Sequence, residues 1–407
     1  MRAGLAYSQE ALTWKECVRR AKDNNPDLIS AGERLKQSKA DKDISLSSAL
    51  PQVSSEISGK RSRSADKKPA DSYGYGITGR QLVFDGFKTS SEISSALKAI
   101  RAQEYNYAVE SSNVRLDLRA SFTGLMKAQE LVHITESIEE RRRQNLELVK
   151  LRYESGREHK GALLTAEADM AQAEFETAQA KRNVLLSQRD LSRAMGLTRA
   201  KPLMVKGKFS LTASYKNRPD IDFLAESTPF LRELIERKEA ARYNVSSREA
   251  DFLPKVYLNG SLGRTDNEWP PENREWSAGF SVSLPIFEGG RRLAEAAKAE
   301  SQLNQAKAAE RSGRDSVLVT LERTWKELQD GIEAVSVQKK FLEAAEERAA
   351  ITRAQYETGL ASFNDWIIIE DNLVKAKKAY LNTQADMLLA EAYWIQATGG
   401  TLEYDQE

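Results

Sequence analysis

The chain has 407 residues, 40% of them hydrophobic and 30% charged, which is enough apolar material for a packed core and too much for a disordered polymer. Its 61 Lys and Arg stand against 60 Asp and Glu, a net charge of +1, so the chain lacks the global basic field that nucleic-acid binding usually needs. One cysteine, Cys17, and two histidines, His133 and His159, exclude an intrachain disulfide and a structural zinc site built on histidines alone.

In chain order, residues 1–11 read as a tail or a processed remnant, with Gly4-Leu5-Ala6 before Tyr7 resembling the small-residue end of a signal-peptidase site. Cys17 follows Leu12-Thr13-Trp14-Lys15-Glu16, not the small apolar run of a lipidated cysteine, and reads as an ordinary helical residue. A first repeat, 12–200, is expected to hold a helix from Leu12 to Ala49, strands at about 51–63 and 73–84, and a long helix at about 87–152. A turn at 153–160 and an alanine-rich helix at about 161–195 complete it. Residues 201–226, bounded by Pro202 and Pro219, form a linker. A second repeat, 227–400, runs through a helix from Ser227 to Phe252, strands at about 254–265 and 276–287, a long helix at about 291–355, a turn at 356–361 and a helix at about 362–397, leaving a tail at 401–407.

Five landmarks at one spacing suggest the duplication. Asn25-Pro26, Leu50-Pro51, Phe84-Asp85-Gly86, Tyr153-Glu154-Ser155-Gly156 and Gly196 recur as Thr228-Pro229, Leu253-Pro254, Phe287-Glu288-Gly289, Tyr356-Glu357-Thr358-Gly359 and Gly399, each 203 positions on. Since Pro and Gly dictate where the backbone turns, both halves are expected to share one element order.

The strands alternate with period two. Trp276, Ala278, Phe280, Val282, Leu284 and Ile286 share one parity against Ser277, Gly279, Ser281 and Ser283, and Tyr73, Tyr75, Ile77 and Val83 occupy the matching parity in the first half. A large apolar face backed by Gly and Ser is the pattern of a barrel with lipid outside and water inside, so Tyr73, Tyr75, Ile77, Trp276, Phe280, Val282 and Leu284 are the expected lipid-facing residues. No run reaches the roughly 18–20 apolar residues of a spanning helix, so a bilayer crossing has to be made by strands. Four strands are too few to close a solute-passing barrel, and an open edge in lipid leaves backbone groups unpaired at several kcal/mol each, which calls for further copies of the chain. The polar, Pro-containing connectors, 61–71 and 266–274, read as outward loops.

The long helices are free of proline, and in the first Ile93, Ile100, Tyr107 and Val114 recur at heptad steps with Leu97, Leu118, Leu125 and Val132 in the second seam position. At about 1.5 Å per residue each would extend on the order of 100 Å, several times a bilayer core of about 30 Å.

Over nearly its whole length the chain resembles the TolC family of outer-membrane efflux proteins: Leu-Pro before the first strand of each half, Phe-Asp/Glu-Gly after the second, Tyr-x-x-Gly at each helical turn, and Ala397-Thr398-Gly399-Gly400. The resemblance implies a mainly α fold with a transmembrane β-barrel portion, assembled as a homotrimer with one twelve-stranded barrel and an α-helical tunnel. It also implies a periplasmic adaptor, an inner-membrane transporter and outer-membrane lipid as partners, with passage of cargo being passive. It places a pore constriction at Asp365, with Ile368 where some members carry a second acid, and adaptor docking at the tips, marked by Arg152, Tyr153, Gly156, Tyr356 and Gly359. Glu370 and Asp371 are expected in surface or inter-helix ion pairs, and His159 as an exposed polar residue. No nucleophile elbow, phosphate loop or metal cluster is present in the sequence, so neither an enzyme nor a cofactor is expected. The alternative is a soluble coiled-coil scaffold, in which the apolar strand face would pack on protein.

Overall fold

The computed structural model describes residues 10–63, 69–198 and 202–403; most of the expected N-terminal remnant (its last two residues are described) and parts of the first connector, the linker and the C-terminal tail lie outside them. The element order is β1 (Glu10–Leu12), α1 (Trp14–Asn24), α2 (Pro26–Ser47), β2 (Gln52–Ser62), β3 (Ala70–Phe84), α3 (Lys88–Glu154) and α4 (Lys160–Ala194). It continues with β4 (Leu203–Val205), α5 (Ile221–Ser227), α6 (Pro229–Ala250), β5 (Lys255–Asp266), β6 (Asn273–Ser283), α7 (Arg291–Thr358) and α8 (Phe363–Ala397).

The single helix expected from Leu12 to Ala49 is two helices, because Asn25 leaves helical geometry ahead of Pro26. Pro26 lacks an N–H and suits the first helical position. The Asn25 side chain caps α2 by accepting from the N–H groups of Asp27 and Leu28, and its amide donates to the Ala194 carbonyl at 3.0 Å. The second half breaks likewise at Thr228 before Pro229, so the linker contains an extra helix, α5, and a short strand, β4.

The described residues within Met1–Ala31, Ala108–Thr228 and Ser316–Glu407 form one compact unit, and those within Gly32–Tyr107 and Pro229–Asp315 a second. Each unit therefore draws on both halves of the sequence.

In the first unit α3 buries Thr135, Ile138, Arg142, Asn145 and Val149, and α4 buries Ala166, Met170, Ala173, Thr177 and Ala180. Both series step by alternating threes and fours, the seam of a coiled coil, and the small residues on α4 let a neighbouring backbone come close. A separate core gathers Ile221, Leu321, Trp325, Leu328 and Trp394, with the two indoles 5.1 Å apart edge to face. The linker is fastened here. β1 and β4 pair in parallel, the Gln188 amide donates to the Leu203 carbonyl at 2.7 Å, and Glu391 accepts from the Thr212 N–H and hydroxyl at 2.8 and 2.7 Å. Gln188 and Glu391 are themselves 203 positions apart, so one helical position in each half binds linker backbone.

In the second unit β2, β3, β5 and β6 form one antiparallel sheet in that order, the two hairpins joined through β3 and β5. β6 ends at Ser283, short of the expected 287, because Pro285 has no N–H for a ladder; β3 has Leu82 at the corresponding place and continues to Phe84 through an irregularity after Leu82. α3 is tied to α6 by Ser247 to Glu92 at 3.2 Å and Lys98 to Glu236 at 2.9 Å, and to Asp251 just after α6 by Lys88 at 2.8 Å. Leu97, expected in the coiled-coil seam, is exposed.

Candidate functional site

Two places carry the chemistry expected from the sequence: the sheet, and the turns joining α3 to α4 and α7 to α8. In the sheet, the register sets Ser55, Ile77, Leu262 and Trp276 in one row and Gln81, Leu258 and Phe280 in another. Side chains alternate across a strand, so Tyr73, Tyr75, Ile77, Trp276, Phe280 and Val282 stand on one face with Val53, Ile57 and Val256. That face is uncovered within the chain: Trp276 is 77% exposed and Phe280 78% exposed. Leu284 is also exposed but lies beyond the end of β6, and Tyr73 is half-covered by the loop residue Trp269, whose ring centroid is 6.3 Å away.

The opposite face is polar. It carries Ser54 hydrogen-bonded to Thr78 at 2.8 Å, Ser261 to Ser277 at 2.8 Å, Asn259 to Ser281 at 3.0 Å, and the Arg80 guanidinium 3.7 Å over the Tyr257 ring. Among the described residues the outer strands β2 and β6 have no further strand beside them, and both are exposed along their whole length. Their outward N–H and C=O groups therefore have no ladder partner of their own.

At the helical turns the backbone closes the same way twice. The Gly156 N–H donates to Tyr153 O and the Arg157 N–H to Arg152 O, while the Gly359 N–H donates to Tyr356 O and the Leu360 N–H to Gln355 O. These paired bonds need a residue at positive φ, which Gly156 and Gly359 adopt at 73° and 82°. His159, exposed as expected, caps α4 by accepting from the Ala162 N–H at 3.1 Å, and Ser362 caps α8.

Tyr356, expected at an accessible tip, is instead fully buried. Its ring stacks on Trp366 at 4.3 Å with Phe363 edge-on, Arg152 lies 4.6 Å over it, and its hydroxyl donates to Glu158 at 2.9 Å. Arg152 also donates to the Tyr356 carbonyl at 2.8 Å. Burial, reinforced by the bond to Glu158, pushes the Tyr356 phenol well above its ordinary range. The ring is unavailable to a partner; Tyr153, Gly156 and Gly359 are exposed.

Asp365 is exposed in the first turn of α8, and its carboxylate accepts from the Ser362 hydroxyl at 2.6 Å while its N–H donates to Ser362 Oγ at 3.2 Å. A turn further on, Glu370 is buried and takes a two-pronged pair from Arg141 at 2.5 and 2.6 Å. Arg142 is paired with Asp371, and its guanidinium is 3.6 Å from Asp169. Hydrogen bonding to Glu370 raises the Arg141 pKa, and burial raises that of Asp169. Among the described residues no group of His, Cys, Asp and Glu has metal-binding geometry, and burial pushes the Cys17 thiol up to about 12. The partners Arg141, Arg142 and Asp169 were missed from the sequence because nothing in a helical charge run indicates which charge will meet another helix; Trp366, an apolar residue three positions after Phe363, is the signal that a core lies there.

The family described as outer membrane efflux protein matches residues 17–197 and 221–400. The chain is similar to the outer membrane efflux protein BepC of Brucella suis, 23% identical over 408 residues covering 97% of this chain and 87% of that protein. Its fold matches a crystal structure of CusC with a TM-score of 0.87 at 17% identity, covering 95% of this chain and 92% of that one. It matches the outer membrane protein VceC of Vibrio cholerae with a TM-score of 0.84 at 20% identity, over 95% and 96%.

Proposed function

This chain belongs to the outer membrane efflux protein family, and from that premise we propose that it is the outer-membrane duct of a tripartite efflux or secretion system, working as a homotrimer. The observation that carries the reading is the sheet: an exposed apolar face, a polar face of Ser, Thr, Asn and Gly, and two unpaired edges. In hydrocarbon those edges cost several kcal/mol per unsatisfied group, and β6 of one copy beside β2 of the next removes the cost around a closed ring. Three copies of the four-stranded sheet make a twelve-stranded barrel with lipid outside and water within.

In this reading the two halves are products of one duplication, and the coiled-coil helices line a tunnel in the periplasm. Transport is passive, because energy and most of the choice of cargo reside in the inner-membrane transporter, which a periplasmic adaptor joins to the tips around Tyr153, Gly156 and Gly359. Asp365, exposed near the α7–α8 turn, contributes a ring of carboxylates at the constriction, which concentrates cations at the mouth. Ile368 is exposed on the same helix, so a second acidic ring is not formed at that position.

The test is extraction. The protein is expected to resist release from membranes by high salt and to leave in detergent as a heat-sensitive trimer that conducts ions in planar bilayers. Release by salt alone, without conductance, would favour a coiled-coil scaffold.

A further inference from the structure

The loop end of the sheet carries two arginines that form no ion pair among the described residues. Arg264 on β5 and Arg274 on β6 are direct register partners, and the same row continues through Tyr75 on β3 to Ile57 on β2. Alternation puts the whole row on the apolar face, beside the row of Ile77, Leu262 and Trp276. Among the described residues neither arginine forms an ion pair; Asp266, one row nearer the loops on the same face, accepts from Asn273 at 3.1 Å, and Arg61 pairs with Asp71 at 3.4 Å.

Like charges directly opposite on antiparallel strands repel. A cation on a lipid-facing surface is also costly in proportion to its depth, and is tolerated near the interface. This pair lies at the interface. The row is next to the hairpin loops, where Tyr73, Tyr75, Trp269 and Trp276 gather as an aromatic belt would. The other ends of the strands run into helices, so on the duct reading the arginines lie at the outer leaflet.

A cleft of about 550 Å³ opens at this point, lined by Ile57, Tyr75, Ile77, Leu262 and Trp269 and bordered by both arginines. Glu56 also borders it, but its parity assigns it to the polar face. An anion with an apolar tail complements such a surface: phosphate oxygens suit paired guanidinium groups, and acyl chains suit the adjoining aliphatic residues.

We propose that Arg264 and Arg274 bind the phosphate-bearing headgroup of an outer-leaflet lipid, with its acyl chains along Ile57, Ile77 and Leu262. The proposal rests on the barrel reading above. Its test uses the purified trimer in non-ionic detergent, incubated with diphosphorylated lipid A, with phosphate-free lipid A of the same acyl composition, or with the diphosphorylated form plus excess inorganic phosphate. Lipid retained through gel filtration is counted by mass spectrometry.

The wild-type protein is expected to prefer the phosphorylated lipid by about thirtyfold, R264Q/R274Q to lose that preference, and inorganic phosphate not to displace the lipid. R274Q alone, at an exposed position, serves if the double variant does not assemble, and is expected to lose part of the preference. Equal retention of both lipids by the wild type, an unchanged preference in the variants, or displacement by inorganic phosphate overturns the lipid site. Conductance in planar bilayers separates the two levels: conducting wild-type protein without selective retention sinks the site alone, and failure of both proteins to insert sinks the barrel reading with it.

Discussion

Among single residues, Asp365 is the position where a structural role meets the proposed constriction. Its carboxylate holds the Ser362 hydroxyl at the start of α8, and a negative group there also suits the helix dipole. The two roles separate by substitution. Asp365→Asn keeps an acceptor for the Ser362 hydroxyl and removes the charge, whereas Asp365→Ala removes both; the bond from the residue-365 N–H to Ser362 Oγ does not need the side chain and stays in either. Both variants are expected to weaken block by multivalent cations in planar bilayers, and the alanine variant, which also loses the bond to the Ser362 hydroxyl, to lower the melting temperature more than the asparagine variant. Unchanged block in both would remove Asp365 from the constriction.

Asp251 sets a pH dependence of known sign. Burial pushes its carboxyl up, but hydrogen bonds and charge from Lys88 and Lys255 outweigh burial and hold it below the usual carboxylate range. Its stabilisation is therefore present above the unfolded pKa of about 3.9 and is lost as pH falls through the lower folded value. The stability difference between wild-type protein and Asp251→Asn is expected to shrink as pH drops through that window. A difference that stays constant there would show that the lysine contacts do not hold in solution. The sequence offered Asp251 only as a charge before Leu253-Pro254, and its partner Lys88 is distant in the chain.

At the scale of elements, the helical turns were legible because a glycine at positive φ is a local requirement. An added Cβ at Gly156 or Gly359 meets no atom within 4 Å, so substitution there tests backbone conformation without a clash. Gly359→Ala is expected to destabilise by about 1–2 kcal/mol, read from thermal unfolding of the first unit's helical signal. A neutral result would mean that the turn tolerates another closure. The break of the first helix at Asn25 is equally local, but the expectation of one helix from Leu12 to Ala49 passes over the Pro26 that marks it. β1 and β4 were not legible: three-residue strands are too short to show a period, and only their pairing with each other identifies them.

For the whole molecule, the two faces of the sheet predict opposite responses to the same side chain. Phe280→Arg places a cation on the apolar face, at about 2–4 kcal/mol per copy near mid-membrane depth. Gly279→Arg places it on the polar face, where an added Cβ meets nothing within 4 Å. Trimer recovered from the outer-membrane fraction is expected to fall severely for the first and little for the second. Equal losses would mean that lipid does not contact the Phe280 face.

Strand alternation, the proline-free helices and the turn residues were all determined by the sequence alone, since each depends on neighbours within a few positions. The tertiary structure decided what depends on distant partners: the joining of the hairpins through β3 and β5, the burial of Tyr356 against Trp366, and the pairing of Arg141 with Glu370. It also brought Arg264 and Arg274 into one row. Periodicity tells which face a residue takes, while the identity of its neighbour across a sheet or between helices is settled only when the elements pack.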